Sequence, residues 1–228
     1  MLITGQTAVT DLLYSMGNGA AGMFETAMVA VLVAALCALI RVHGGFDALL
    51  YAIRKMFKGN KGASAAYYYN GTLTLDGFSY TGENVGICTY KALTIQLKYT
   101  NKLNVSGSNV GIEAYDNLTI SGAGSLRLET ENKTGLRLAK SGSSLVLEAN
   151  QLTIVSGNTG IGSSYGKVII NSGTVNITAQ YDGIAAGSSD GTVTLNGGML
   201  NIESTRYGIL ASNISVYGGK LIAKTSGN

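Results

Sequence analysis

The sequence predicts a mainly β protein: a right-handed parallel β-helix of about 24 residues per coil and three strands per coil, preceded by an α-helical membrane-type segment. Three observations predict it. A small residue followed by a bulky aliphatic one recurs at Gly86-Ile87, Gly111-Ile112, Gly135-Leu136, Gly160-Ile161, Gly183-Ile184 and Gly208-Ile209. The glycines lie 25, 24, 25, 23 and 25 residues apart, the mark of one supersecondary unit stacked on itself. Residues 1–62 lack this repeat and contain a long apolar run instead.

Each repeat carries two further stretches of period two. The first runs Leu93-Ile95, Leu118-Ile120, Leu145-Leu147, Val168-Ile170, Val193-Leu195 and Ile214-Val216. The second runs Leu103-Val105, Leu126-Leu128, Leu152-Ile154, Val175-Ile177, Leu200-Ile202 and Leu221-Ala223. Alternation puts the aliphatic residues on one face of a strand and Thr, Asn or charged residues on the other. Turn formers such as Ser106-Gly107-Ser108-Asn109 separate the strands. One repeat cannot bury its apolar face alone; stacked coils can. The sequence has no proline, as uninterrupted ladders require. Asn-Gly hairpin turns between long strands are missing, which disfavours a propeller or sandwich.

The β-helix is expected over 70–228, after a junction at 63–69. Leu73-Thr-Leu75 looks like an incomplete entry coil, because thirteen residues separate Leu73 from Gly86 where later coils show eight or nine. The extra chain is expected to fold over the first coil as a partial cap. At the other end the next glycine would fall at position 229. The expectation is a truncated solenoid whose last coil is uncapped and open to edge-to-edge self-association.

The run Met23–Ile40, MFETAMVAVLVAALCALI, has the length and apolarity of a short membrane span. Arg41, Arg54, Lys55, Lys58 and Lys61 follow it and no basic residue precedes it, which puts its C-terminal side in the cytoplasm. Residues 46–57 are amphipathic at helical spacing and suit a membrane surface. Glu25 is an intramembrane acid or an interface anchor, and His43 is a lone surface histidine. The start, MLITGQTAVTD, lacks the positive region of a signal peptide.

Two resemblances follow. The string GAAGMFETAMVAVLVAALCALIRVHGGFDALLYAIRKMFKGNKG, residues 19–62, resembles an internal segment of an NhaC-type Na+/H+ antiporter. It covers one or two helices of a transporter that needs about a dozen, so no transport site is implied. The strings GTLTLDGFSYTGENVGI, ALTIQLKYTNKLNVSG and VIINSGTVNITA, with their repeat, make residues 68–228 resemble bacterial carbohydrate-binding-domain β-helix proteins, akin in fold to polysaccharide lyases. That resemblance implies a cell-surface, extracellular module, with calcium as its one implied cofactor. A cytoplasmic exit from the span and an exported β-helix conflict. A recombined, misassembled or artificially joined reading frame with its junction near 61–66 reconciles them.

The β-helix carries eleven basic and ten acidic residues and is nearly neutral, so most of the formal charge of +3 comes from residues 1–62 with their membrane-flanking cluster. That cluster suits anionic lipid and lacks the density of a nucleic-acid surface. Cys37 and Cys88 lie in different environments and have no metal-ligand spacing. Carboxylates are thinly spread and no Ser-His or Cys-His pair is available, so catalysis and a metal site are not expected.

The binding signal is one column. Tyr90 and Tyr115 each stand four residues after a repeat glycine, so they should stack, with Glu113 and Asp116 flanking the second. Aromatic faces beside carboxylates suit a sugar. Stacked tyrosines also stabilise ladders, and the column ends at Ala139. Two ion pairs fix the register if the repeat alignment holds: Glu113 with Arg137, and Glu203 with Lys224, each one coil apart. The expected function is a non-catalytic carbohydrate-binding or adhesion module. A structural stalk, a lyase-like relic and an inactive transporter fragment are the alternatives.

If residues 1–62 are foreign to the solenoid, a chain from Gly62 to Asn228 should keep its full strand signal in circular dichroism. Loss of that signal would mean that the N-terminal segment caps the first coil.

Overall fold

The structure is a computed structural model that describes residues 65–227. The antiporter-like segment, with the expected span 23–40 and amphipathic helix 46–57, lies outside the described residues. Among the described residues all regular structure is β, and no helix is long and apolar enough to cross a membrane.

The chain begins with β1 (Ala65–Tyr69), β2 (Thr72–Asp76), β3 (Ser79–Gly82), β4 (Ile87–Thr89), β5 (Leu93–Lys98) and β6 (Thr100–Val105). It continues through β7 (Ile112–Ala114), β8 (Leu118–Thr130), β9 (Leu136–Leu138), β10 (Ser144–Ser156), β11 (Ile161–Ser163) and β12 (Lys167–Ile170). The last strands are β13 (Thr174–Ala179), β14 (Asp182–Leu195), β15 (Met199–Ser204), β16 (Tyr207–Val216) and β17 (Lys220–Thr225). Apart from β1, every strand pairs in parallel with a strand about one repeat away, giving a parallel β-solenoid of about six turns.

Three faces result. On the first, Ile87, Ile112, Leu136, Ile161, Ile184 and Ile209 stand in one column, as the glycine spacing predicts. On the second, Leu93, Leu118, Leu145, Val168, Val193 and Ile214 do the same. On the third, Leu126, Leu152, Val175, Leu200 and Leu221 are in register. The inward members form one core, and most are fully buried. Each such side chain contributes roughly 1.5–3 kcal/mol of burial before chain entropy is offset.

The alignment fails at one step. Leu103 pairs with Leu128, and the residue opposite Leu126 is Asn101. Asn101 is fully buried, yet its amide is satisfied: Oδ1 accepts from Phe78 N at 2.8 Å, and Nδ2 donates to the Lys98, Tyr99 and Ser125 carbonyls at 3.0, 3.3 and 3.1 Å. It ties the corner to the coil on either side. A fully bonded amide is tolerated where an unpaired one would be costly.

The entry coil also differs from expectation. β2 belongs to the second face, with Leu73 opposite Ile95 and Leu75 opposite Leu97, while β3 supplies the third, with Tyr80 opposite Leu103. Leu73 is therefore not equivalent to Leu103, and the long gap to Gly86 contains a strand rather than surplus chain. The covering element is β1, which the sequence assigned to the junction. It folds back antiparallel on β2 across Asn70-Gly71, whose φ values of 43° and 76° are those of a type I′ hairpin turn. One Asn-Gly hairpin thus exists, at the solenoid's edge, where it gives the exposed ladder of β2 a partner.

The repeat glycines are required by close approach. None of the six has left-handed φ. A Cβ on Gly86, Gly111, Gly135, Gly160 or Gly183 would lie 2.5–2.8 Å from the carbonyl oxygen of the glycine in the next coil. From Gly111 onward it would also meet the inward Leu128, Ile154, Ile177 or Ile202. The same carbonyls accept from Ile87, Ile112 and Leu136 N at 2.9–3.1 Å.

Replacing a glycine of ordinary φ by alanine usually stabilises by about 0.4–1 kcal/mol. Gly183→Ala should do the opposite and lower stability by about 1–3 kcal/mol, because the new methyl overpacks a filled site. The midpoint of chemical unfolding measures the sign; a midpoint at or above that of the parent would exclude the packing account.

Candidate functional site

Tyr90 and Tyr115 leave the ends of β4 and β7 at the corner between the first and second faces. The Ile87–Ile112 register puts them one coil apart, and Tyr115 N donates to Thr89 O at 2.8 Å. The rings stack with centroids 4.8 Å apart and planes 20° from parallel. Tyr90 is 75% exposed and Tyr115 is half-buried beneath it. The column stops at Ala139, whose N–H donates to Ala114 O at 2.8 Å. A stacked pair contributes about 0.5–1.5 kcal/mol beyond the area it buries. The Cys88 thiol, and after it Tyr115 and Glu113, push the Tyr90 phenol above its ordinary value. At neutral pH it therefore keeps its proton and can donate a hydrogen bond.

The two carboxylates sit where the sequence places them, each joined to a cation of the next coil. Arg137 Nε lies 3.3 Å from Glu113 Oε1, as the repeat alignment requires, and Lys140 Nζ lies 3.5 Å from Asp116 Oδ2. In both pairs the acid is the more covered partner: 14% against 51% side-chain exposure for Glu113 and Arg137, and 33% against 59% for Asp116 and Lys140. Asp116 also accepts from Asn117 N at 2.7 Å. The other expected pair, Glu203 with Lys224, is present at 3.8 Å and largely exposed, so it marks register more than stability. Among the described residues no group of three or more His, Cys, Asp or Glu could hold a metal ion.

Two features of this surface were not singled out by sequence. Tyr165 stands five residues after Gly160, the offset that Asp116 and Lys140 have from their glycines. It adopts a left-handed φ of 60°, and its ring lies against Gly187, where a Cβ would come within 3.0 Å of Cδ1. At the opposite corner Asp182, 2% exposed, receives Arg206 through Nε at 2.9 Å and Nη2 at 2.6 Å. The guanidinium lies 3.9 Å over the Tyr181 ring and 4.8 Å from that of Tyr207. The 25-residue spacing of Tyr181 and Arg206, each two before a glycine, was the available signal.

Geometry and register define the class of this protein: a parallel β-solenoid whose corners carry ladders of aromatic and charged side chains. A family model described as carbohydrate-binding domain-containing protein matches residues 64–228, well over half of the chain, and the chain belongs to that family. No curated protein matches the chain, and no solved structure does. The family match covers the stretch that resembles carbohydrate-binding β-helix proteins and does not reach the antiporter-like one.

The hydrogen bond from Asn117 N, and secondarily the charge of Lys140, hold the Asp116 carboxyl below its ordinary range. A depressed folded-state pKa means that the stabilisation is present above the unfolded value and is lost as pH falls through the folded one. An NMR titration should show Asp116 titrating low in the parent. In Lys140→Gln it should move part of the way back, the Asn117 bond retaining the rest. An unchanged midpoint in the variant would remove Lys140 from the site.

Proposed function

We propose that this protein is a non-catalytic module that holds polysaccharide at the solenoid's first corner, with Tyr90 and Tyr115 as the platform and Glu113 and Asp116 beside it. The observation that carries the reading is the Tyr90–Tyr115 stack, whose outer ring is three-quarters exposed. Solvent-facing aromatic rings are costly to leave wet and suit the apolar faces of sugar rings, while the phenols and neighbouring polar groups engage hydroxyls. Membership of a carbohydrate-binding family supports the ligand class. The module is proposed to work at the cell surface, as an adhesin or a glycan anchor. Its attachment to a membrane through 23–57 belongs to the same proposal, and calcium is not needed for it.

A structural stalk is the competing reading, favoured by the fact that the tyrosines already satisfy each other. The double change Tyr90→Ala with Tyr115→Ala separates the two. It should abolish retention in polysaccharide affinity gels while leaving the strand signal in circular dichroism intact. Retention that survives the change excludes this column, and a parent retained by no glycan supports the stalk.

A further inference from the structure

We infer that two copies of this chain join end to end through the coil of β16 and β17, about a two-fold axis that passes beside Ser215. The inference is independent of the sugar-binding reading. Its ground is an edge where open backbone and open aliphatic side chains coincide. Tyr217 N donates to Leu195 O in the preceding coil, and Lys220 and Ser226 N donate to Gly198 and Ser204 O, each at 2.9 Å. Neighbouring residues of a strand turn their N–H and C=O groups to opposite sides. Ile214, Val216, Leu221 and Ala223 therefore turn theirs away from the preceding coil, and no described strand pairs with that side. The same residues continue the inward columns. Val193 and Leu195 are 2% and 1% exposed, but Ile214 and Val216, which follow them in register, are 46% and 51% exposed. Tyr217 beside them is exposed as well. An uncharged edge with exposed aliphatic side chains is a template for another strand.

The opposite end of the solenoid points to a second copy that presents the same end. There β1 already pairs with β2, and Phe78, Tyr80 and Ile87 pack against the end of the core. A copy added head to tail would have to set Ile214 and Val216 on the edge of β2, which β1 occupies. Contact between like ends is isologous and closes at two chains. Charge selects the register. β17 carries Lys220 and Lys224, and edge lysines oppose the pairing of β17 with another β17. From Tyr207 to Val216, β16 has no charged residue. A two-fold axis normal to the second face sets the two β16 strands antiparallel, with Ile214 exchanging both backbone hydrogen bonds with Val216 of the second copy. Ser215, the outward residue between them, then faces Ser215 of the second copy. The same rotation lays the third face of one chain over the first face of the other, so the lysines stand against the neutral stretch 207–211. The inward aliphatic side chains of both chains become one continuous core.

The test uses the full chain, with molar mass read by light scattering and contact read by cross-linking. The parent should have the mass of two chains. Residues 1–62 carry their own apolar run, so mass alone does not assign the contact, and a register-specific link does. Residues directly opposite in a non-hydrogen-bonded antiparallel pair have Cα atoms about 4.5 Å apart, within the reach of a disulfide. Ser215→Cys should therefore give a disulfide-linked pair on mild oxidation. Thr194→Cys, which pairs with Ser215 one coil earlier and points outward in the same column, should not. Val216→Lys sets two ammonium groups at the junction and should weaken association at least about a hundredfold. Its parent residue is already half exposed, and an unchanged strand signal in circular dichroism checks that the variant folds. A parent of one-chain mass would overturn the inference. So would a Ser215→Cys chain that links no better than Thr194→Cys, or a Val216→Lys chain that stays paired, since the contact then lies elsewhere. Assemblies that grow beyond two chains would overturn the two-fold closure. A single chain whose Ile214 and Val216 amides resist hydrogen exchange would assign the edge to another segment of the same chain and overturn the pairing as well.

Discussion

Coils can stack here only because backbone meets backbone at one corner. Where the third face turns into the first, the space that a side chain would fill is occupied twice over. The carbonyl of the next coil's glycine lies within 2.5–2.8 Å of the missing Cβ, and from Gly111 to Gly183 an inward Leu or Ile of the next coil's third face fills the rest. That carbonyl is also the acceptor for the aliphatic residue that follows the glycine one coil earlier. The glycine therefore permits a hydrogen bond between coils and a core contact in the same volume. A larger residue would force a choice between them. Its recurrence fixes the coil length, and coil length fixes which residues become neighbours.

Once the coils are in step, separation of about 24 residues along the chain becomes adjacency on the surface. Asn196 donates to Asn171 at 2.8 Å, Asn171 to Glu148 at 2.7 Å, and Asn201 to Asn176 at 2.9 Å. Tyr90 meets Tyr115, and Glu113 meets Arg137. Each exposed contact is small in free energy. Their common effect is on register, since a slip of one residue would turn every inward aliphatic outward. Inward hydroxyls do related work at the corner. Thr130, Ser156 and Ser204 donate to the carbonyls of Lys133, Thr159 and Tyr207, so the turns before Gly135, Gly160 and Gly208 carry no orphaned acceptor at those positions.

Much of this was legible because aliphatic period and glycine spacing are local patterns. The first two columns can be read straight from the sequence, and so can the Tyr90–Tyr115 stack and the Glu113–Arg137 pair, which share offsets from their glycines. The third column slips at Asn101 because counting apolar residues passes over a buried amide. Its partners, Phe78 and Ser125, are each about one repeat away, and nothing near Asn101 announces them. The entry hairpin was missed for a different reason. Leu73-Leu75 has the strand pattern of either face, and only pairing with Ile95 and Leu97 decides between them. The site's charge character was also illegible. Offsets place Asp116 beside Lys140 and Glu113 beside Arg137, but which partner is covered depends on packing at the corner. Asp182 makes the same point: its near-complete burial beneath Arg206 is a property of stacked coils, absent from any single one.

A solenoid of this kind orders the side chains of its corners as it folds. Tyr115 is held by a backbone hydrogen bond and by the ring above it, and Arg137 and Lys140 are held by their acids. Ordering these long side chains takes place on folding, so association loses less side-chain freedom. The arrangement also suits a polymer better than a small molecule. No deep enclosure is needed, because a chain that lies along the axis meets a new coil at each step of about 4.8 Å. The glycine column and the tyrosine column are thus two expressions of one constraint: the close backbone stacking that needs glycine inside the wall aligns the aromatic and charged side chains outside it.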